Sequence, residues 1–409
     1  MKDNDEFHTE EIDALIERSS LGTPAAKSLR ERTPIEDVKP ILDRADSLAT
    51  GPFAIGIEVL PRKLSVVLAD HYGMTRGRRN WQLPDMEVST VMEYAAKAAR
   101  DLAATHLGSD LPNRCIVIGL DLGGPVDTRT GTVICFENNP TDPTALKPEQ
   151  RYRWEGVPLA ALIEQETGCR TVLENDASAF AAFEQKFGVG HEFSTFATIL
   201  IRDGVGFSMV MDDKLITRLL ELGHVIVFPN GPMCECGLVG DIESQAGRRA
   251  IRVVVRDEIG WDRDPEWEEA VQLALADSDQ GDKALRAFDL AGEAIGRGIA
   301  TVMTLLNPAC VVIYAPRELI EPSDGNSRIA DAFIGAVEKY RQHTFPPPGQ
   351  VRLITKVPQP TDGALGAALI ALSRLFSVPL APTSPNRRAS NGPANLSARR
   401  ESPSASHRA

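Results

Sequence analysis

The strongest candidate for chemistry in this sequence is Asp176, a carboxylate at the junction between a short apolar segment and a helical pattern. At such a junction the unpaired N–H groups of the helix N-terminus keep a carboxylate ionised. A carboxylate at a strand end that faces a cleft is suited to act as a general base toward a hydroxyl group. The alternative is that Asn175 or Asp176 only caps the helix. The spacing alone leaves both interpretations open.

A second candidate is a group of metal-ligand side chains in a glycine-rich segment. His224 is followed by Cys234-Glu235-Cys236 and then by Asp241, all within eighteen residues. One imidazole, two thiolates and one carboxylate can form a tetrahedral zinc site. Glycines after the cysteines allow the backbone to fold closely around an ion. The alternative is a pair of reduced, partly buried cysteines beside a surface histidine.

A glycine turn at Gly123-Gly124 follows a buried strand pattern and permits close approach of a ligand to the backbone, although a tight turn alone would need the same residues. Strand and helix patterns alternate around all three features. Strand pairs that are followed by helices, twice along the chain, indicate an α/β protein with two lobes and a cleft between them. The predicted strands are 53–60, 63–69, 115–120, 170–173, 196–201, 206–211, 215–216 and 310–314, and the predicted helices are 88–107, 157–167, 175–187, 282–306, 329–340 and 361–375.

The composition is that of a globular protein with an acidic surface. The chain has 409 residues, 43% hydrophobic and 25% charged, with a formal charge of −13. Such a charge repels phosphate backbones, so nucleic-acid binding would need a locally basic module. The polar N-terminus and the lack of a long apolar run predict no signal peptide and no membrane span. Six dispersed cysteines are typical of a reducing compartment, and we expect a cytoplasmic protein.

We expect five regions along the chain. Residues 1–50 contain twelve acidic and seven basic side chains and form a partly helical extension. A small α/β lobe is predicted for 51–170 and a large α/β lobe, with the candidate zinc loop at 224–243, for 171–360. A closing helix at 361–379 follows. Residues 380–409, with five arginines, six serines and four prolines, predict a disordered tail.

Several segments resemble, in order and spacing, the ROK family of bacterial sugar-responsive repressors and sugar kinases. The resemblance covers about Phe53–Ser377. It implies an actin-like, hexokinase-type (ribonuclease H-like) fold with a sugar site in the cleft between two lobes. The most specific matches are LENDASAF and ELGHVIVFPNGPMCECGLVGDIES, and weaker ones are IGIEV, GLDLGGPVDTRTGTVICFENNP, DGVGFSMVMDDKL and DGALGAALIAL.

The resemblance also implies residue roles. The residue that matches Asp176 is, in the kinases, the base that removes a proton from the sugar hydroxyl. The family's zinc ligands fall on His224, Cys234 and Cys236, with Asp241 in place of a third cysteine, so that an oxygen ligand replaces a thiolate. For the sugar contact that falls on Asn138, the adjacent Asn139 is the alternative, since an insertion at about 141–153 follows both. The family's sugar contacts fall on Gly124, Asn138, Asn175, Asp176, Glu221, His224 and Glu243.

The nucleotide side departs from the kinase pattern. The first phosphate loop contains Glu58-Val59-Leu60-Pro61-Arg62, without glycine and with a proline that lacks an N–H group. The second contains Arg202-Asp203-Gly204-Val205-Gly206, where the leading glycine is lost and the Asp203 carboxylate is expected to repel phosphate. The glycines near the adenosine are replaced by Tyr314-Ala315-Pro316. This pattern predicts a sugar binder that no longer phosphorylates.

The repressor branch of the family shares such a degenerate nucleotide site. Its members also carry a winged helix-turn-helix, whereas residues 1–50 show neither a turn between helices nor a basic recognition helix. We therefore expect a sugar-binding regulatory protein, a homodimer by resemblance, that does not contact DNA directly. Two alternatives stay open: a hexose or N-acetylhexosamine kinase that uses magnesium-ATP with Asp176 as base, and a descendant that binds neither ligand.

Overall fold

The computed structural model describes residues 52–107, 116–138, 152–323, 325–344, 351–376 and 378–380. Its strands are β1 (Phe53–Leu60), β2 (Lys63–Asp70), β3 (Thr75–Gln82), β4 (Ile116–Leu122), β5 (Val126–Asp127), β6 (Thr132–Asn138), β7 (Tyr152–Val157), β8 (Arg170–Asn175), β9 (Phe196–Ile201), β10 (Val205–Met211), β11 (Lys214–Leu215), β12 (Cys310–Tyr314) and β13 (Arg352–Lys356). Its α-helices are α1 (Val88–Leu107), α2 (Leu159–Thr167), α3 (Asp176–Phe187), α4 (Glu243–Ala246), α5 (Arg248–Ile259), α6 (Trp267–Leu275), α7 (Asp279–Leu306), α8 (Arg317–Ile320), α9 (Arg328–Tyr340) and α10 (Asp362–Phe376).

The first lobe is built on a five-stranded sheet in the order β3-β2-β1-β4-β8. Strands β1, β4 and β8 run parallel, and the near-continuous apolar sequences of β1 and β4 are those of strands buried on both faces. Helices α1 and α2 pack on one face, and α10 packs on the other against Ala54, Val67 and Val117. Gly56 allows the closest approach, because a Cβ there would overlap the carbonyl oxygen of Ala364 in α10.

The second lobe repeats this plan with a sheet in the order β11-β10-β9-β12-β13. On one face, the long helix α7 lies at the centre of a core that also contains α5, α6 and α9. On the other face, Ala177, Phe180 and Ala181 of α3 pack against β9, β10 and β12. Helix α3 therefore lies between the second sheet and α10, and its N-terminus points to the space between the two lobes.

A third, small sheet in the order β5-β6-β7 extends the first lobe. Trp154 of β7 is buried there and donates a hydrogen bond from Nε1 to the carbonyl of Met86, at 2.8 Å. The insertion at 141–153 falls largely outside the described residues, as do the predicted extension 1–50 and the tail beyond residue 380. Within the described ranges, every helix is too short or too polar to cross a bilayer.

The prediction of an α/β fold with two lobes is confirmed, and several predicted elements differ from those observed. The helix predicted from residue 157 begins at Leu159, because Val157 ends β7. The strand predicted at 115–120 continues to Leu122 through the polar Asp121. Strands β3, β5–β7 and β13 and helices α4–α6 and α8 are additional to the predicted elements. Strand β3 is polar and α4 and α8 have four residues each, whereas α5 and α6 are amphipathic helices whose period the prediction missed. The chain leaves the first sheet only after Asn175, five residues beyond the predicted boundary of the small lobe at 170.

Candidate functional site

Three carboxylates lie side by side where the parallel strands of the first sheet end. The register pairs Glu58 of β1 with Asp121 of β4, and Asp121 with Glu174 of β8. All three are buried. Neighbouring strands place opposite Cβ atoms about 5 Å apart, so the charges of Glu58 and Asp121 interact directly. The carboxyl edge of this sheet is therefore the acidic wall of the cleft.

The junction between β8 and α3 shows which of the two residues caps the helix. Asn175 is the N-cap of α3, and its side-chain oxygen accepts a hydrogen bond from the N–H of Ala177 at 2.9 Å. Its side-chain amide donates to the carbonyl of Gly124 at 3.0 Å, which ties the glycine turn to the helix. Asp176 also accepts from Ala177, at 2.8 Å through Oδ1, and its Oδ2 is directed toward the cleft.

Arg202 occupies the space between these carboxylates. It lies in the connection between β9 and β10, at the first glycine position of the family's second phosphate loop. Its Nη2 donates to Oε1 of Glu58 at 2.5 Å, and its Nη1 donates to Oδ2 of Asp176 at 3.3 Å. The guanidinium also stacks over Phe180, 5.2 Å from the ring centroid. A permanent cation of the chain itself therefore lies between the expected base and the residue that opens the degenerate first loop.

Burial shifts the protonation of this group. Desolvation raises the pKa of Asp176, although Arg202 and the N–H of Ala177 act in the opposite direction. Desolvation likewise raises the pKa of Glu58 against the effect of Arg202. Asp121 is fully buried, and neither carboxylate oxygen has a hydrogen-bond partner among the described residues. Its pKa is raised well above the ordinary value by desolvation and by the charges of Glu58 and Asp176. Burial and the neighbouring negative charges therefore favour the protonated form of Asp121.

Asp203, Gly204 and Gly206, which are also expected on the nucleotide side, follow Arg202 in the chain. Asp203 pairs with Arg248 at 2.7 Å, and its side chain is 57% exposed, so the charge nearest Asp176 is that of Arg202 rather than that of Asp203. A Cβ at Gly204 would clash with the Glu243 carboxylate, and one at Gly206 would come within 3.5 Å of Oδ1 of Asp176. Both glycines therefore lie directly against the acidic side of the cleft.

Most of the predicted sugar contacts converge on one cleft. Val126, Thr128 and Asn175 line it from the first lobe, and Glu221, which follows β11, lines it from the second. Glu243 begins α4 and accepts from the N–H of Val205 at 2.8 Å. Desolvation raises the pKa of Glu221, with Glu243 and Asp176 among the neighbouring charges. Asn138 ends β6, but its side chain lies outside the described residues, so its assignment stays a prediction.

The metal-ligand residues come together at the edge of this cleft. One ligand atom each from His224, Cys234, Cys236 and Asp241 lies within 4.8 Å of the others. His224 Nδ1 is 3.0 Å from Asp241 Oδ2 and 3.9 Å from Cys234 Sγ, and Cys236 Sγ is 3.5 Å from the same Asp241 oxygen. Ligands of a tetrahedral zinc ion are about 3.3–3.8 Å apart. The donor set and its spacing fit a metal ion.

The local backbone explains why these side chains meet. Gly237 and Gly240 have φ of 94° and 74°, in the left-handed region that glycine adopts without strain. Asp241 is fixed by the N–H of Ser244, at 2.8 Å from its Oδ1. Desolvation opposes ionisation of Asp241, yet hydrogen bonds from His224 and Ser244 lower its pKa. Desolvation raises the pKa of both cysteine thiols, which a bound cation would reverse.

Two residues of the cleft escaped the sequence analysis. Asp121 lies in an apolar strand, and a polar residue in such a run was the only available signal. Arg202 was noted only as a lost glycine, because its partner Glu58 is 144 residues away. Glu184 is also buried, and its Oε1 accepts hydrogen bonds from the hydroxyl of Tyr314 and from Nζ of the partly exposed Lys356, the latter at 2.6 Å.

Comparisons with known proteins agree with this geometry. The glucokinase of Thermotoga maritima is 30% identical over 294 residues, which cover 68% of this chain and 85% of the glucokinase. The xylose repressor of Caldicellulosiruptor bescii is 25% identical over 214 residues, which cover 49% of this chain and 50% of the repressor. The crystal structure of the ROK hexokinase from Thermus thermophilus shares the fold, with a TM-score of 0.62 and 23% identity over 80% of this chain and 99% of the hexokinase. The ROK family model matches residues 54–374. The chain therefore belongs to the ROK family and has its two-lobed, actin-like fold.

Proposed function

We propose that this protein is a sugar-binding regulatory member of the ROK family that does not phosphorylate its ligand. The observation that carries the proposal is the position of Arg202 between Glu58 and Asp176. A kinase needs its base free to accept a proton and needs a carboxylate to hold magnesium beside the phosphates. Here the chain's own guanidinium engages both carboxylates.

The sugar side supports a ligand of the hexose or N-acetylhexosamine class. Asn175, Asp176, Glu221, His224 and Glu243 provide carboxylate, amide and imidazole groups, which can each bridge adjacent hydroxyls. Gly124 brings its backbone to the same wall through the hydrogen bond with Asn175. Among the relatives, the glucokinase is named for a hexose and favours the same class of ligand, whereas the xylose repressor is named for a pentose.

We further propose that His224, Cys234, Cys236 and Asp241 hold a structural zinc ion. Zinc would cross-link the segment that carries His224 to the segment that leads to Glu243, and so would fix two of the expected sugar contacts. The resemblance to other members of the ROK family supports a further part of the proposal, that the protein is a cytoplasmic homodimer. The proposal does not include direct contact with DNA, because the sequence of residues 1–50 has twelve acidic against seven basic side chains and no pattern of a basic recognition helix.

The zinc proposal is tested by replacing Cys234 and Cys236 together with serine. Hydroxyl groups are poor ligands compared with thiolates, so we expect the purified variant to lose its bound metal and to melt at a lower temperature. Metal content is measured by elemental analysis of the purified proteins. Cys135→Ser, a cysteine outside the cluster, is the control and should keep the wild-type metal content. Equal zinc in the double variant and the wild type would place the ligands elsewhere.

The function is tested with a panel of hexoses and N-acetylhexosamines in two assays. Thermal melting is expected to rise with one sugar or a few, because a ligand that binds only the folded state stabilises it. ADP release from magnesium-ATP is expected to stay at background with every sugar, both in the wild type and in Asp176→Asn. Turnover that disappears in Asp176→Asn would overturn the proposal and identify a kinase with Asp176 as base.

That kinase is the second candidate, and two observations favour it. Asp176 is retained with its Oδ2 directed to the cleft, and the relation to the Thermotoga maritima glucokinase spans 85% of that enzyme. For catalysis Arg202 would have to leave Asp176 and turn toward the phosphates. Melting that responds to no sugar, together with no turnover, would instead indicate a protein that binds neither ligand.

A further inference from the structure

The Arg202 guanidinium connects elements of both lobes. Arg202 follows β9 of the second sheet, whereas Glu58 lies in β1 of the first sheet. The Arg202 backbone is itself anchored in the second lobe, where its carbonyl accepts from the N–H of Arg248 at 2.8 Å. On the first lobe, Glu58 is 1% exposed and lies against the start of α10, where a Cβ at Gly363 would press on its carboxylate. The ion pair therefore joins two rigid anchor points.

The chemistry of the pair makes this connection strong. Arginine offers a planar fork of donors, so one side chain can bind the carboxylates of Glu58 and Asp176 at once, which a lysine cannot match. The Glu58 carboxylate is almost fully buried and the guanidinium is largely enclosed, with 26% of the side chain exposed. Separation of the lobes would leave buried carboxylates without a counter-ion, which is costly in a protein interior.

We propose that Arg202 is an internal tie that holds the two lobes together without any nucleotide. In proteins that close by hinge motion, the ligand between the domains usually supplies the contacts that favour the closed state. Here the chain supplies a cation of its own in the space between the lobes. Arg202 is accordingly a positioning residue, which fixes Asp176 and sets the resting separation of the lobes. The inference goes beyond the proposed function, because it holds whichever ligand occupies the cleft.

The test compares hydrogen exchange and small-angle scattering of variants without sugar or nucleotide. The main variant combines Arg202→Met with Glu58→Gln, which removes one charge of each sign and avoids an unpaired buried glutamate. We expect it to stay folded, to show a larger radius of gyration and to exchange at least about tenfold faster at the carboxyl end of β1 and at 202–206. Arg263→Met breaks the pair with Glu269 within the second lobe, whose residues lie outside both segments, and is the control, with both readouts unchanged.

If the double variant has the exchange rates and the radius of gyration of the wild type, the proposal is wrong. If that variant fails to melt cooperatively, Arg202→Lys decides, because it keeps the charge and loses the two-pronged contact. Exchange at both segments must then rise at least about threefold, and unchanged rates would reject the inference. No sugar or ATP is present, so the result is independent of the assays that test the proposed function.

Discussion

Asp121 is a buried acid that contributes to the pH dependence of folding stability. Both of its oxygens lack a hydrogen-bond partner among the described residues, and Glu58 and Asp176 add negative charge nearby. A free aspartate loses its proton near pH 4. The folded protein therefore binds a proton at Asp121 over a pH range in which the unfolded chain does not. Stability from this group is greatest at acidic pH and falls as the pH rises above about 4 toward the raised pKa.

Replacing Asp121 with asparagine should remove this loss of stability at higher pH. We expect the melting temperature of Asp121→Asn to approach that of the wild type at acidic pH and to exceed it increasingly as the pH rises to 8, because the amide needs no proton to stay neutral. Melting curves at steps between pH 5 and 8 measure the difference. Asp289→Asn, at an exposed position of α7, is the matched control and should show no such trend. A difference for Asp121→Asn that is constant with pH would contradict a retained proton.

The site residues also show what the sequence could and could not predict. Asn175 and Asp176 were found because a strand end and a helix start are local patterns, and the structure confirms that junction. The metal-ligand residues likewise lie close in sequence. The pairing of Arg202 with Glu58 has no local signature, since the partners belong to different sheets. The pairing of Asp203 with Arg248 has no local signature for the same reason, because the two residues are 45 positions apart.

At the scale of elements, the packing of α10 on the first sheet depends on glycines in the strands. Gly56 of β1 and Gly119 of β4 face the helix backbone, and a Cβ at either position would overlap a carbonyl group of Ala364 or Ala367. The helix itself is rich in alanine and is buried along most of its length. This close fit places Gly363 against Glu58, so the geometry of the acidic wall depends on it.

The substitution Gly56→Ala should therefore push α10 away from the sheet. Overpacking of a closely packed interface typically lowers the free energy of unfolding by about 1–3 kcal/mol, and we expect the melting temperature to fall accordingly. Gly335→Ala in α9 is the control: nothing lies within 4 Å of the added Cβ, and alanine favours a helix by about 0.5–1 kcal/mol. The two alanine variants should move the melting temperature in opposite directions. A neutral Gly56→Ala would show that the interface tolerates a shift.

At the scale of the whole molecule, the two lobes repeat one plan, and this repetition was predictable from the alternation of strand and helix patterns. Their relation to each other was not, because it depends on contacts such as Arg202 with Glu58 and the hydrogen bond from Thr128 to the carbonyl of Thr217, at 3.3 Å. These contacts flank the cleft on its nucleotide and sugar sides. A ligand that enters the cleft must therefore act on a molecule whose halves are already joined.

The position of α10 also has a consequence for folding during synthesis on the ribosome. The first lobe begins with β1, yet one face of its sheet is covered by a helix that ends at Phe376. While the second lobe is being synthesised, Ala54, Val67 and Val117 have no helix above them. This apolar face of the first sheet therefore stays exposed, or covered by a chaperone, until the residues of α10 have been synthesised. The lobe that is made first is thus the last to be completed.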